Sequence, residues 1–187
     1  MKKFSIYNTL KREKEEFIPI ADPKVGMYVC GITPYGESHL GHARCYIVFD
    51  AFKRYLEFIG YEVNYVQNIT DIDDKIIKKS RETGMSPVEI AEKYFNSFSE
   101  AMKKLNVVPA DSYPKVSASI DDIVEFINGL IEKDMAYAVG GDVYFRINKL
   151  RNPVFKPKAN QTCRSKNDGI AFNNLMLFKL IIENQIE

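Results

Sequence analysis

The spacing of apolar and polar positions changes period several times along this chain. "VGMYVCG" (25–31) is a short apolar run closed by glycine and reads as a buried strand. In "HLGHARCYIVFDAFKRYLEFIG" the apolar residues Leu40, Ala43, Ile47, Ala51, Leu56 and Ile59 recur at helical spacing, and Gly60 suits a helix C-terminus. "YEVNYVQNIT" (61–70) is rich in β-branched and aromatic residues and reads as a second strand. Strand, helix and strand in that order predict a right-handed βαβ unit with parallel strands.

Beyond it, "DIDDKIIKKSRETG" opens a helix whose acidic first turn suits the helix dipole and which Gly84 ends. Ser86 and Pro87 fit the N-cap and first position of a further helix, running to about Leu105. "VPADSYP" reads as a loop and "SIDDIVEFINGLIEKDM" as another amphipathic helix. "AYAVGGDVYFRI" sets Gly140 and Gly141 between apolar runs, the pattern of a hairpin. No internal repeat is visible.

Composition narrows the class. Hydrophobic residues make up 45% of the 187 positions, enough for a sizeable core. The net charge of +1 gives no global electrostatic case for a nucleic-acid or membrane partner. Three cysteines form no disulfide framework, which predicts a reducing compartment. The N-terminal lysines precede no long apolar run, so no signal peptide is expected, and no stretch approaches the ~20 apolar residues of a membrane span. The expectation is a soluble cytoplasmic protein. Near Lys149 the character shifts. Residues 149–187 hold seven basic and three acidic side chains, while the first 148 hold 19 and 22.

The candidate chemistry is concentrated in "YVCGITPYGESHLGHAR", which holds Cys30 and both histidines of the chain. A loop between a parallel strand and its following helix lies at the carboxyl edge of the sheet, where doubly wound folds bind ligands. "HLGH" puts His39 and His42 on one face of a first helical turn, beside free backbone N–H groups suited to phosphate. Gly41 between them lets a ligand approach the backbone. Two imidazoles there would bind nucleotide phosphates and stabilise charge on an α-phosphate. Two surface histidines at a helix start fit the spacing equally well. Cys30 reads on spacing alone as a small buried hydrophobe, as does Cys45. Zinc would need three further ligands. Asp71, Asp73 and Asp74 read as structural acids at a helix start.

Those motifs carry a resemblance. "YNTLKREKEEF", "MYVCGITPYGESHLGHAR" and "GYEVNYVQNITDIDDKII" resemble, in order and spacing, the N-terminal part of cysteinyl-tRNA synthetase. "HLGH" is similar to the HIGH signature of class I aminoacyl-tRNA synthetases, and "AYAVGGDVYF" also resembles the family. The likeness covers roughly residues 4–147. It implies an α/β fold, the first half of a Rossmann-like (HUP-type) parallel-sheet nucleotide-binding domain, followed by the start of an inserted connective domain. It implies ATP binding by His39, Gly41 and His42, with the histidines catalytic. It places Gly31, Thr33 and Thr70 in the cysteine pocket and makes Cys30 the first ligand of a zinc ion that holds the substrate thiolate. The implied reaction is cysteinyl-adenylate formation from L-cysteine and Mg-ATP, with transfer to tRNA-Cys.

The same resemblance sets out departures. A third histidine, a tryptophan and the KMSKS signature do not occur in these residues, and Cys163 lacks the family's surrounding sequence. Ser99 stands where the family usually has a pocket histidine. The expectation is therefore a truncated ligase, weakly active or inactive alone. A mycothiol-pathway cysteine ligase and a non-catalytic nucleotide-binding fragment are the alternatives. The expected division is 1–115 for the nucleotide-binding half, 116–150 for the start of the connective insert and 151–187 for a diverged tail. An unpaired first strand would favour self-association through its edge, or cover by "IAFNNLMLFKLII".

Overall fold

The computed structural model describes residues 4–146, residue 149 and the strand Gly169–Ala171. Two compact units divide at residues 118 and 119. In the first, strand β3 (Lys24–Val29) and strand β4 (Glu62–Gln67) pair in parallel, Lys24 against Glu62 through Val29 against Gln67. Helix α1 (Leu40–Phe58) connects them, so the βαβ unit is present. The buried positions alternate along β3 at Val25, Met27 and Val29, as a strand with one covered face requires. Met27, Val29, Ile32, Tyr46, Tyr65, Phe98 and Met102 form the core of this unit.

On α1 the buried stripe follows the one read from the sequence in part: Leu56 and Ile59 are buried and Ala43 packs against the core. Leu40 is 84% exposed and Ile47 43%, whereas Tyr46 and Lys53, outside that set, are buried. The helix is apolar on two sides, and periodicity alone cannot choose which side meets the sheet. Lys53 lies along the buried side, with its ammonium paired to Glu57.

Helix α2 (Asp74–Thr83) starts on Asp73, whose carboxylate accepts the Lys75 N–H at 2.8 Å, and ends on Gly84 at φ 73°. Helix α3 (Pro87–Lys104) starts on Ser86 with Pro87 following. Ser86 accepts the Glu89 N–H, and the Glu89 carboxylate accepts the Ser86 N–H in return. Ile76, Ile90 and Ala91 seal the contact between the two helices.

The segment read as a loop has more order than its sequence implied. The Asp111 N–H donates to the Tyr65 carbonyl, the Gln67 N–H to Ser112 and the Ile69 N–H to Pro114. The chain at 111–116 thus lies parallel along β4 and covers its outer edge. Pro109 and Pro114 obscure this in the sequence, because proline lowers the apparent strand propensity. Among the described residues no strand pairs with the other edge of β3.

A hairpin at the N-terminus had no sequence counterpart: β1 (Ser5–Asn8) pairs antiparallel with β2 (Glu13–Glu16). It is held by aromatic contacts rather than by its own polar strands. Phe4 stacks on Phe17 at 5.0 Å and meets Phe52 and Tyr55 of α1 edge-on.

In the second unit, α4 (Ile120–Glu132) packs on a hairpin of β5 (Ala136–Val139) and β6 (Asp142–Arg146). Gly140 and Gly141 take φ 62° and 91°, the left-handed values that a two-residue turn requires. Leu130, Ala136 and Phe145 form its core. Strand β7 (Gly169–Ala171) adds to β6, pairing Ile170 with Phe145. The first residues of the apolar run expected to cover β3 therefore pair with β6. The rest of that run, like Cys163, lies outside the described residues. No described helix is long and apolar enough to cross a membrane.

Candidate nucleotide and amino-acid site

The carboxyl ends of β3 and β4 are tied together by one buried side chain. Asn68 follows β4 and is 5% exposed. Its Oδ1 accepts from the Gly31 N–H and from the Tyr28 hydroxyl, both at 2.8 Å, and its Nδ2 donates to Thr70 Oγ1 at 3.2 Å. The Thr70 N–H donates to the Ile32 carbonyl at 3.0 Å, closing the same junction through the backbone. Gly31 is forced to be glycine here: a β-carbon on it would stand 1.4 Å from the Asn68 carbonyl oxygen. Tyr46 of α1 donates its hydroxyl to the Cys30 carbonyl at 3.1 Å. Sequence reading named Gly31 and Thr70 but missed Asn68, Tyr28 and Tyr46. Asn68 follows a strand that is itself half polar, ending on Gln67, so the pattern did not single it out.

His39 and His42 form the start of α1. His39 is the N-cap, and its Nδ1 accepts the Gly41 N–H at 3.1 Å. The Nδ1 of His42 in turn accepts the His39 N–H at 3.2 Å, and the two rings stack at 3.9 Å. A ring that accepts through Nδ1 carries its proton on Nε2 when neutral. Each ring therefore keeps one N–H donor that bonds to no described residue. Gly41 has a role the spacing did not reveal. A β-carbon there would meet His39 Cε1 at 2.8 Å, so the glycine gives the ring room to fold back as a cap.

Desolvation and then the neighbouring His39 hold His42 below the ordinary histidine value of 6.5. Folding thus favours the neutral ring. The associated stability is present above about pH 6.5 and is lost as pH falls towards the folded value, because the unfolded chain then binds more protons. Melting at pH 7.5 and pH 5 checks this. The melting temperature is expected to drop on acidification, and the drop to shrink in His42→Ala. An undiminished drop in the variant contradicts it.

Cys30 and Cys45 are both exposed free thiols. Partial desolvation, with a smaller contribution from Cys45, pushes the Cys30 thiol up. That opposes thiolate formation in the absence of a cation. No group of three metal-ligating side chains occurs among the described residues. Both histidine Nδ1 atoms are already engaged in the cap. The described residues by themselves do not fit a tetrahedral zinc site.

The acids after β4 are occupied structurally. Asp73 caps α2, and Asp71 accepts the Ser117 N–H at 3.0 Å and also the Ser117 hydroxyl. Lys75 lies over the Tyr35 ring at 5.3 Å, linking α2 to the loop before α1. Ser99 is exposed on α3, where it borders a cleft of about 270 Å3 with Tyr46, Gln67, Phe98 and Tyr113.

A parallel βαβ unit with its polar cluster at the carboxyl edge defines the class: an α/β domain of the Rossmann-like architecture. Two structures of Mycobacterium tuberculosis methionyl-tRNA synthetase with methionyl-adenylate share this fold. They give TM-scores of 0.50 and 0.52 at 16% identity, covering 65% and 64% of this chain and 29% and 28% of theirs. Residues 16–169 match the tRNA synthetases class I (C) catalytic domain, and the chain belongs to that family.

Cysteine–tRNA ligases are similar to it in sequence. That of Dehalococcoides mccartyi strain 195 is 52% identical over 145 residues, which are 78% of this chain and 32% of the relative. That of Thermococcus kodakarensis is 54% identical over 147 residues, 79% and 31% of the two chains. That of Pyrococcus furiosus is 55% identical over 144 residues, 77% and 30%. The chain spans about a third of the length of the curated relatives it matches.

Proposed function

We propose that this chain carries the nucleotide- and cysteine-facing part of a cysteine–tRNA ligase. The observation that carries the reading is the histidine pair at the start of α1, with both Nδ1 atoms engaged and both Nε2–H groups left as donors. In this reading His39 and His42 hold the phosphates of Mg-ATP beside Gly41 and stabilise charge on the α-phosphate as the bond to pyrophosphate breaks. The cysteine carboxylate attacks that phosphorus. It is already ionised at neutral pH, so positioning and charge stabilisation do the work and no general base is required.

Gly31, Thr33 and Thr70 face the amino acid, and tRNA-Cys accepts the aminoacyl group. Residues 1–115 belong to the nucleotide-binding half and 116–150 begin the connective insert, in a cytoplasmic enzyme. The β3 edge, unpaired among the described residues, supports self-association there.

Equilibrium dialysis with ATP and with adenosine tests the nucleotide reading. ATP is expected to be retained at least about tenfold more strongly, since hydrogen bonds to charged groups contribute about 1.5–3 kcal/mol each. Equal retention of the two contradicts it.

A further inference from the structure

We infer that Asn68 is a positioning residue that fixes the backbone at Gly31 and turns the Thr70 hydroxyl outward as a hydrogen-bond donor. The inference rests on the reading above in one respect, that Gly31 and Thr70 face the substrate.

The orientation of the Asn68 amide follows from its partners. The Gly31 N–H can only donate, so the group it meets at 2.8 Å must be the amide oxygen. The Tyr28 hydroxyl shares that oxygen at 2.8 Å. Burial, and then the nearby Cys30, push the Tyr28 phenol up to about 12, so it keeps its proton and donates. The amide nitrogen is left to face Thr70 Oγ1 at 3.2 Å. An Nδ2–H can only donate, so Thr70 accepts there and its own hydroxyl proton is available elsewhere.

Two consequences follow for the amino-acid subsite. The Gly31 N–H is consumed by Asn68, so Gly31 contributes space and backbone direction and its N–H is not a ligand donor. Thr70 keeps its hydroxyl proton free, so it can donate to an acceptor such as a carboxylate or thiolate. Asn68 reaches both from a position 5% exposed. It acts on the substrate only through these neighbours.

Two variants separate this role from general packing, read by amide hydrogen exchange and by L-cysteine titration of the 187-residue chain using NMR. Asn68→Ala removes both arms, and exchange at Gly31 is expected to accelerate at least about 100-fold through local opening. Asn68→Asp keeps the acceptor for Gly31 and Tyr28, and is expected to return Gly31 exchange to within about tenfold of the parent. The new carboxylate oxygen facing Thr70 can only accept, so it turns the hydroxyl inward, and L-cysteine affinity is expected to fall at least about tenfold. Unchanged Gly31 exchange in Asn68→Ala overturns the positioning role. Parent-like cysteine affinity in Asn68→Asp overturns the hydroxyl direction. A parent chain that shifts no resonance with L-cysteine defeats the cysteine reading of Thr70, and with it the outward donor. The two exchange results still decide whether Asn68 positions Gly31.

Discussion

Gly31→Ala is expected to destabilise the chain by at least about 3 kcal/mol, the upper range for an overpacked site that cannot relax. The added methyl would stand 1.4 Å from the Asn68 carbonyl oxygen, which belongs to the backbone and cannot rotate away. Relief requires the ends of β3 and β4 to separate. That breaks the 2.8 Å bond from the Gly31 N–H to Asn68 and strains the 3.0 Å bond from Thr70 to Ile32. Each buried bond left unmade adds about 1–3 kcal/mol. Urea denaturation measures the loss. Gly36→Ala is the control, because a β-carbon there meets nothing within 4 Å. Equal midpoints for the two variants contradict the close approach at Gly31.

The largest effect on binding is expected from the histidine pair. His39→Ala with His42→Ala removes two donors aimed at ATP, and about 1.5 kcal/mol or more for each such bond predicts a loss of about 100-fold or greater. The same change also uncaps α1, at about 0.5–2 kcal/mol of stability. His39→Asn divides the two effects. Asparagine is a good N-cap, so stability is expected to hold while ATP affinity falls at least about tenfold. Isothermal titration and thermal melting on the same samples read both quantities. Full ATP affinity in His39→Asn would mean that the ring acts only as a cap.

The sequence made the βαβ unit legible because its elements differ in period and Gly60, at φ 103°, follows its helix where the backbone needs a glycine. Gly84 and the Gly140–Gly141 turn sit at positive φ where glycine or asparagine is favoured. The start of α3 was legible because Ser86, Pro87 and Glu89 each have a defined role in a helix N-terminus. The β1–β2 hairpin was not legible. Its strands are polar, and what holds it is the edge-on packing of Phe4 against Phe52 and Tyr55 and of Phe17 against Tyr61, 44 to 51 positions away. The strand-like pairing of 111–116 was hidden by prolines and depends on β4 already being in place.

The candidate site was half legible for a similar reason. Cys30, His39 and His42 attract notice because these residue types are scarce, and the family's motifs assign them roles. Asn68 has neither advantage. Its importance is a matter of three-dimensional coincidence: one amide reaches Tyr28, Gly31 and Thr70 at once. Gly41 illustrates the same limit, since its neighbour is the His39 ring of its own helix start.

The central claim is that nucleotide phosphates meet the start of α1. An ATP analogue with a photoreactive group on its γ-phosphate, followed by trypsin digestion, locates them directly. The label is expected in the tryptic peptide covering residues 25–44, which contains Cys30, His39 and His42, and unmodified ATP is expected to suppress it. Labelling confined to other peptides, or labelling of 25–44 that excess ATP leaves unchanged, contradicts the account.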